Sequence, residues 1–293
     1  MKCYIIFFLL LLGSLFMFNS EVRGDLRQIK ERGVLLHLGV PYARFVTGGK
    51  DGLDVEIVQL FAKELDVEYQ YVKTSWSSVL GDLTGKNVKP VANDVRILGQ
   101  TQIKGDIIGN GLTILPWRKK VIDYSTPYFP TQVWVIARTD SQLRPITPAE
   151  NIDKDIVSVK TMLKGYKVMG KKSTCLDPRL YDLTGVYIIE SNLGIDELGP
   201  CVIKGVSDTA LLEVASVLVD IQKYPGRLKV LGPVSQIQLM GFGFSKESPE
   251  LRMAFNRFLE KLKQKGIYMA LIKKYYSGID QYFPEWFDKF GTK

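Results

Sequence analysis

A threonine and an arginine, Thr113 and Arg118, stand on a stretch of chain that can form neither a helix nor an unbroken strand. It reads Gly111-Leu-Thr-Ile-Leu-Pro-Trp-Arg118, and Pro116 stops regular structure just before the arginine. Extended sequence resumes at Val121-Ile-Asp-Tyr-Ser125 and Pro127-Tyr128. A hydroxyl and a guanidinium thus share one irregular turn between two strands. The chemistry on offer is anion capture. Arginine's planar fork holds a carboxylate through two parallel hydrogen bonds, where lysine gives only a point charge.

Other segments carry groups that could meet the same ligand. In Ser173-Thr-Cys-Leu-Asp177 the residues Thr174 and Asp177 have capping-box spacing, with Asp in place of Glu, before a short helix predicted through Tyr181. Such a helix start leaves backbone N–H groups pointing outward, which suits an anion; a plain cap braced by a disulfide at Cys175 fits the same residues. Gly205 to Glu213 supplies two carboxylates, Asp208 and Glu213, and Ser216 follows close behind. Tyr42, Phe45 and Trp76 could present rings to a solute, although rings at such spacing also build cores.

Several chemistries are missing. His37 is the one histidine, and it lies in Val34-Leu-Leu-His-Leu-Gly-Val40, which reads as a buried strand with a core imidazole. There is no Cys-x-x-Cys, no clustered set of metal-ligand spacing and no Gly-x-x-x-x-Gly-Lys loop, so no metal and no cofactor is expected. Cys175 and Cys201 are the cysteines beyond the leader, and in an oxidising compartment a lone pair is expected to form a disulfide. Neither has a histidine partner that would make it a nucleophile.

The chain has 293 residues, enough for two lobes with a core each, and its 46% hydrophobic content is that of a folded globular protein. Residues 1–24 read as a secretory signal peptide: Lys2, an apolar run from Tyr4 to Phe18 broken by Gly13 and Ser14, then Val22-Arg-Gly24. No cysteine follows the run, so no lipoprotein anchor is expected. The net charge of +8 is spread over the surface, in pairs such as Lys119-Lys120 and Lys171-Lys172. Without an aromatic-interleaved basic run there is no case for nucleic acid, and these lysines read as a solvated face that favours anionic solutes.

The elements alternate. A short helix is predicted over Asp25 to Arg32, a strand over Val34 to Val40, a helix over Val55 to Leu65, a strand over Glu68 to Val72 and a helix over Trp76 to Leu83. This is an α/β pattern with a parallel sheet. Gln132 to Arg138 reads as a strand leading to a Pro-containing connector, and Leu228 to Val234 ends in Gly-Pro as a second crossing. Gly241 to Ser245 follows as a strand and Pro249 to Lys265 as a helix capped by Ser248.

Taken in order, these motifs resemble the family 3 extracellular solute-binding proteins, receptors that feed polar amino acid ABC transporters. The resemblance rests on Gly111 to Tyr128, Gly52-Leu-Asp-Val-Glu56 with Trp76, Gly205 to Glu213, and Lys246 to Leu251 with its helix. It implies a two-lobed α/β fold of the type II periplasmic binding protein class, with two crossing segments. Residues 25–135 and 235–293 would form the first lobe and 136–234 the second. It implies a periplasmic protein that binds a small carboxylate-bearing solute, expected to be an amino acid, and passes it to an ABC permease. Arg118, Thr113 and Gly111 would hold the carboxylate from one lobe, and Ser173 and Thr174 from the other. Glu213 stands in the slot where the family's amino-binding Asp is found; Tyr42 and Trp76 would flank the solute's side chain. Leu115 replaces a threonine common in the family. Two other readings use the same resemblance: an accessory protein of a periplasmic quinoprotein dehydrogenase, and a cyclohexadienyl dehydratase with Glu213 as its acid.

Overall fold

The computed structural model describes residues 24–48, 51–91, 94–149 and 151–289. The predicted signal peptide lies outside them apart from Gly24. The fold starts at Asp25, whose carboxylate caps the helix Leu26–Arg32 in a capping box with Gln28. The same carboxylate accepts from the backbone N–H of Glu250 (3.1 Å) and Leu251 (2.7 Å). One side chain therefore caps two helices and ties the start of the fold to the helix Pro249–Gln264.

The strands in chain order are β1 (Val34–Gly39), β2 (Glu68–Lys73), β3 (Lys86–Val91), β4 (Asp94–Gln100), β5 (Ile107–Ile108), β6 (Ile122–Tyr124), β7 (Phe129–Thr131) and β8 (Val133–Arg138). They continue with β9 (Lys167–Gly170), β10 (Tyr187–Glu190), β11 (Thr209–Glu213), β12 (Leu228–Pro233), β13 (Gln238–Met240) and β14 (Gly243–Ser245). Two five-stranded sheets result, ordered β2-β1-β5-β14-β6 and β10-β9-β11-β8-β12. Each is the centre of a lobe, as the α/β two-lobed expectation required.

In the first sheet β1 pairs parallel with β2 and β5, while β14 runs antiparallel between β5 and β6. The helix Leu53–Leu65 buries Ile57, Val58 and Phe61 beneath it. Phe61 meets Phe255 of the helix Pro249–Gln264 at 5.0 Å, and Phe255 also touches Phe242 at 4.6 Å. His37 is a core residue of β1, between the Tyr69 hydroxyl (2.8 Å) and the Gly109 carbonyl (2.7 Å). Burial lowers its pKa to about 4, so it is a neutral hydrogen-bonding group. In the second sheet β9 pairs parallel with β10 and β11, and β8 runs antiparallel between β11 and β12.

The structure adds to the sequence-based reading in three places. The stretch that leads to the expected crossing at Gly-Pro is strand β12, whose Gly-Pro end pairs with β8. The helix expected from Trp76 begins at Val79, because Ser75 to Ser78 form a turn. The strands β3 and β4 pair only with each other and project from the first lobe.

Phe255→Ala should cost about 3–5 kcal/mol of unfolding free energy, because the ring is fully buried between the sheet and two helices. Urea denaturation measures it. A loss below about 1 kcal/mol would mean that the helix Pro249–Gln264 is not an integral part of the first lobe.

Candidate functional site

Thr113 and Arg118 do fall on one turn, and the backbone explains why. Gly111 has φ 64, and a Cβ there would lie 2.5 Å from the Phe45 ring. Its N–H donates to Asp54 (2.7 Å), which also accepts from the Tyr128 hydroxyl (2.6 Å). Asp54 is thus the anchor of the turn. Pro116 opens a single helical turn, Pro116–Lys119, that places Arg118 back over Thr113. The Arg118 guanidinium donates to the Thr113 carbonyl (2.9 Å) and stacks near the Trp117 ring (5.3 Å).

Across from this turn stands Glu213, at the end of β11. It is 1% exposed, and both oxygens are engaged from the other lobe. Tyr42 donates its hydroxyl to one oxygen, and Thr113 donates to the other at 2.8 Å, with the Cys175 sulfur 3.4 Å from the same hydroxyl. Burial pushes the Glu213 carboxyl up, against the Tyr42, Thr113 and Cys175 contacts and the Arg118 charge, which favour the ion. Two further bonds join the lobes: Ala43 N–H to Asp196 (3.1 Å) and Arg44 to Gln222 (2.6 Å).

Beside this clasp lies a cleft of about 760 Å³ between the lobes. One wall comes from the first lobe: Pro41, Thr74 to Ser77, Trp117, Arg118, and the β3–β4 pair through Val88, Lys89, Pro90 and Leu98. The facing wall is Lys171 to Ser173 and the loop Ser191 to Ile195. Of the expected ligand residues, Arg118, Trp76 and Ser173 line this cleft. Gly111, Thr113, Thr174, Glu213 and Tyr42 do not; they form the buried layer that holds the lining in place.

The second-lobe turn also departs from expectation. Thr174 caps no helix: its hydroxyl donates to Lys171 O (2.7 Å) and accepts from Leu176 N–H (3.0 Å). Asp177 is the cap, accepting from Arg179 N–H (3.1 Å) at the start of the 3-10 turn Pro178–Tyr181. Ser173 sits at φ 62 where the chain turns into the cleft. Lys171 and Lys172, read from sequence as surface charge, border the cleft instead. Their adjacency to the Ser-Thr turn was the available signal. Nothing in the sequence pattern pointed to Lys89 or Leu98.

The expected Cys175–Cys201 disulfide is absent, and both thiols are free and buried. Cys175 belongs to the Thr113–Glu213 cluster, whereas Cys201 sits in the helix Leu198–Ile203 packed on β11 and β8. Each sulfur is held by its own surroundings. Among the described residues no group of three His, Cys, Asp or Glu side chains is placed to hold a metal ion, and no helix is long and apolar enough to cross a membrane.

Two sheet-centred lobes enclosing a cleft, with an arginine on its wall, define a two-lobed binding protein. The chain belongs to the bacterial extracellular solute-binding proteins, family 3, whose family model matches residues 87–278. It is 25% identical over 258 residues to the L-cystine-binding protein TcyJ of Escherichia coli strain K12, covering 86% of each chain. Among solved structures, holo ArgBP from T. maritima superposes with a TM-score of 0.64 at 26% identity, covering 86% of this chain and 99% of that one. An ancestral amino acid-binding protein, described as a precursor of cyclohexadienyl dehydratase, shares the fold with a TM-score of 0.66 at 22% identity, over 86% of this chain and 98% of its own.

Two outcomes test this geometry. Denatured but unreduced protein should give up both thiols to a maleimide, and native protein neither; a mass unchanged by labelling after denaturation would restore the disulfide. The second concerns Asp54, whose pKa burial raises from 3.8 to about 7. A carboxyl held above its unfolded value favours the folded state while protonated. Its stabilisation is therefore complete below about pH 4 and is lost as pH rises toward 7, on the order of 4 kcal/mol in all. Asp54→Asn should flatten that decline in urea titrations between about pH 4 and 7, and an unaltered slope would contradict the assignment.

Proposed function

We propose that the protein captures a small carboxylate-bearing solute in the interlobe cleft and delivers it, in the periplasm, to an ABC permease. The observation that carries this reading is Arg118. It is a guanidinium fixed by the Thr113 carbonyl and the Trp117 ring on the wall of a cleft to which both lobes contribute. A solute held there touches both lobes, so its binding favours closure by the difference in its affinity for the two arrangements. In this reading the lobe boundary moves a few residues from the sequence expectation, because the whole of β8 pairs in the second sheet: residues 25–132 and 235–293 make one lobe and 133–234 the other, with crossings near Gln132 and Val234 as the hinge. Membership of an extracellular family and the leader-like sequence of residues 1–24 support export. Relatives named for L-cystine and ArgBP support a small organic solute.

Catalysis is the weaker reading. The acid that a dehydratase would need is Glu213, which donors hold on both oxygens and which the cleft lining does not include.

Calorimetry against amino acids and their 2-oxo and desamino analogues tests the proposal. For whichever carboxylate binds best, Arg118→Ala should lose about 2–5 kcal/mol, roughly 30- to 5,000-fold in affinity. Arg118→Lys should recover little of it, since an ammonium cannot make the two-pronged contact. Arg118→Ala should also lower stability, because its bond to the Thr113 carbonyl is buried. Full affinity in the folded Ala variant would remove Arg118 from the binding site.

A further inference from the structure

We infer that the solute is a carboxylate with an apolar or aromatic body and no ammonium group. The inference rests on the cleft being the solute site. Its charged lining consists of Arg118, Lys89, Lys171 and Lys172, and no Asp or Glu is among the described residues that border it. Lys171 donates to the carbonyls of Ser191 (3.4 Å) and Leu193 (2.5 Å), and Lys172 lies 3.7 Å from Glu190 at the rim. Those contacts orient the ammonium groups; Glu190 at the rim, Glu197 near Lys171 and the buried Glu213 near Arg118 offset part of the charge from outside the lining.

An amino acid needs an acceptor for its own ammonium, and the acceptor must be reachable. Glu213 is the acid nearest in role, yet its oxygens are taken by Tyr42 and Thr113 behind the lining. The Thr113 hydroxyl is likewise engaged, by Glu213 and the Cys175 sulfur. An α-ammonium entering this cleft would shed water among four cationic side chains and find no carboxylate. An anion without one meets a lining whose charged side chains are all cationic.

The remaining lining says what the rest of the solute is like. Trp76 and Trp117 present rings on one side, and Val88, Pro90 and Leu98 of the β3–β4 pair form an apolar flank. Leu98 is 62% exposed, which leaves its side chain open to cover by an apolar solute. The volume of about 760 Å³ lies within the range of sites that hold ring-sized organic molecules.

Matched pairs sharing one carbon skeleton test this on the intact protein: 3-phenylpropionate against L-phenylalanine, and indole-3-propionate against L-tryptophan, with L-arginine and L-cystine alongside. Isothermal titration should show at least one desamino acid binding tenfold or more tighter than its amino acid, and tighter than L-arginine and L-cystine. Lys89→Gln and Lys171→Gln should each weaken that acid severalfold; Lys89 lies on an exposed strand, so its variant keeps the fold. Tighter binding of any of the four amino acids, lost in Arg118→Ala, would overturn the inference and leave solute capture standing. Failure of both desamino acids to bind would also overturn it, as would full affinity in both lysine variants. Probe binding that Arg118→Ala leaves untouched would instead remove the reading beneath it.

Discussion

A buried carboxylate bridging two lobes is the interaction on which the site depends. Glu213 arrives on β11 of the second sheet and is received by Thr113 and Tyr42 from the first. Taking an ionisable group out of water is unfavourable unless its oxygens are satisfied, so the bond fixes geometry strongly even if its net stabilisation is modest. Thr113 serves both directions at once. Its hydroxyl holds Glu213 while its carbonyl accepts from Arg118, so the lobe contact and the cleft cation are positioned by a single residue. Asp54 secures the same turn from beneath through Gly111. Asp54 and Glu213 thus act on the position of the guanidinium through Thr113 and Gly111.

The cleft itself is built from less constrained parts. Among the described residues the β3–β4 pair has no third strand; it is tied to the body at its base by the helix Val79–Thr84 and at its turn end by the Lys120–Asp94 ion pair (3.0 Å). The exposed pair contributes little as an isolated ion pair. A rigid floor and an adjustable wall is the usual division between scaffold and specificity.

The fold was readable because its elements carry clean patterns. The helix expected over Pro249 to Lys265 is Pro249–Gln264, and the strand expected over Glu68 to Val72 is Glu68–Lys73. The β3–β4 pair was invisible for a physical reason: nearly all of β4 is exposed, so no alternation of apolar and polar residues marks it. The site was legible by residue type and less so by role. Arg118, Trp76 and Ser173 line the cleft, whereas Tyr42 and Thr113, expected as contacts, bond to Glu213. Sequence names a hydroxyl and a carboxylate, but which partner each takes depends on how far two lobes approach. The cysteines were misread for a related reason, since compartment and count say nothing about where the sulfurs point.

The position of β14 in the first sheet has a consequence in time. Every strand of the second sheet lies between Val133 and Pro233, whereas the first sheet is incomplete until Gly243–Ser245 joins β5 to β6. A ribosome therefore finishes the second sheet's sequence while the first, begun a hundred residues earlier, still lacks an internal strand. The usual order, in which the N-terminal part of a chain folds first during synthesis, is reversed by the topology. The half of the molecule that carries Arg118 is the last to have all its strands.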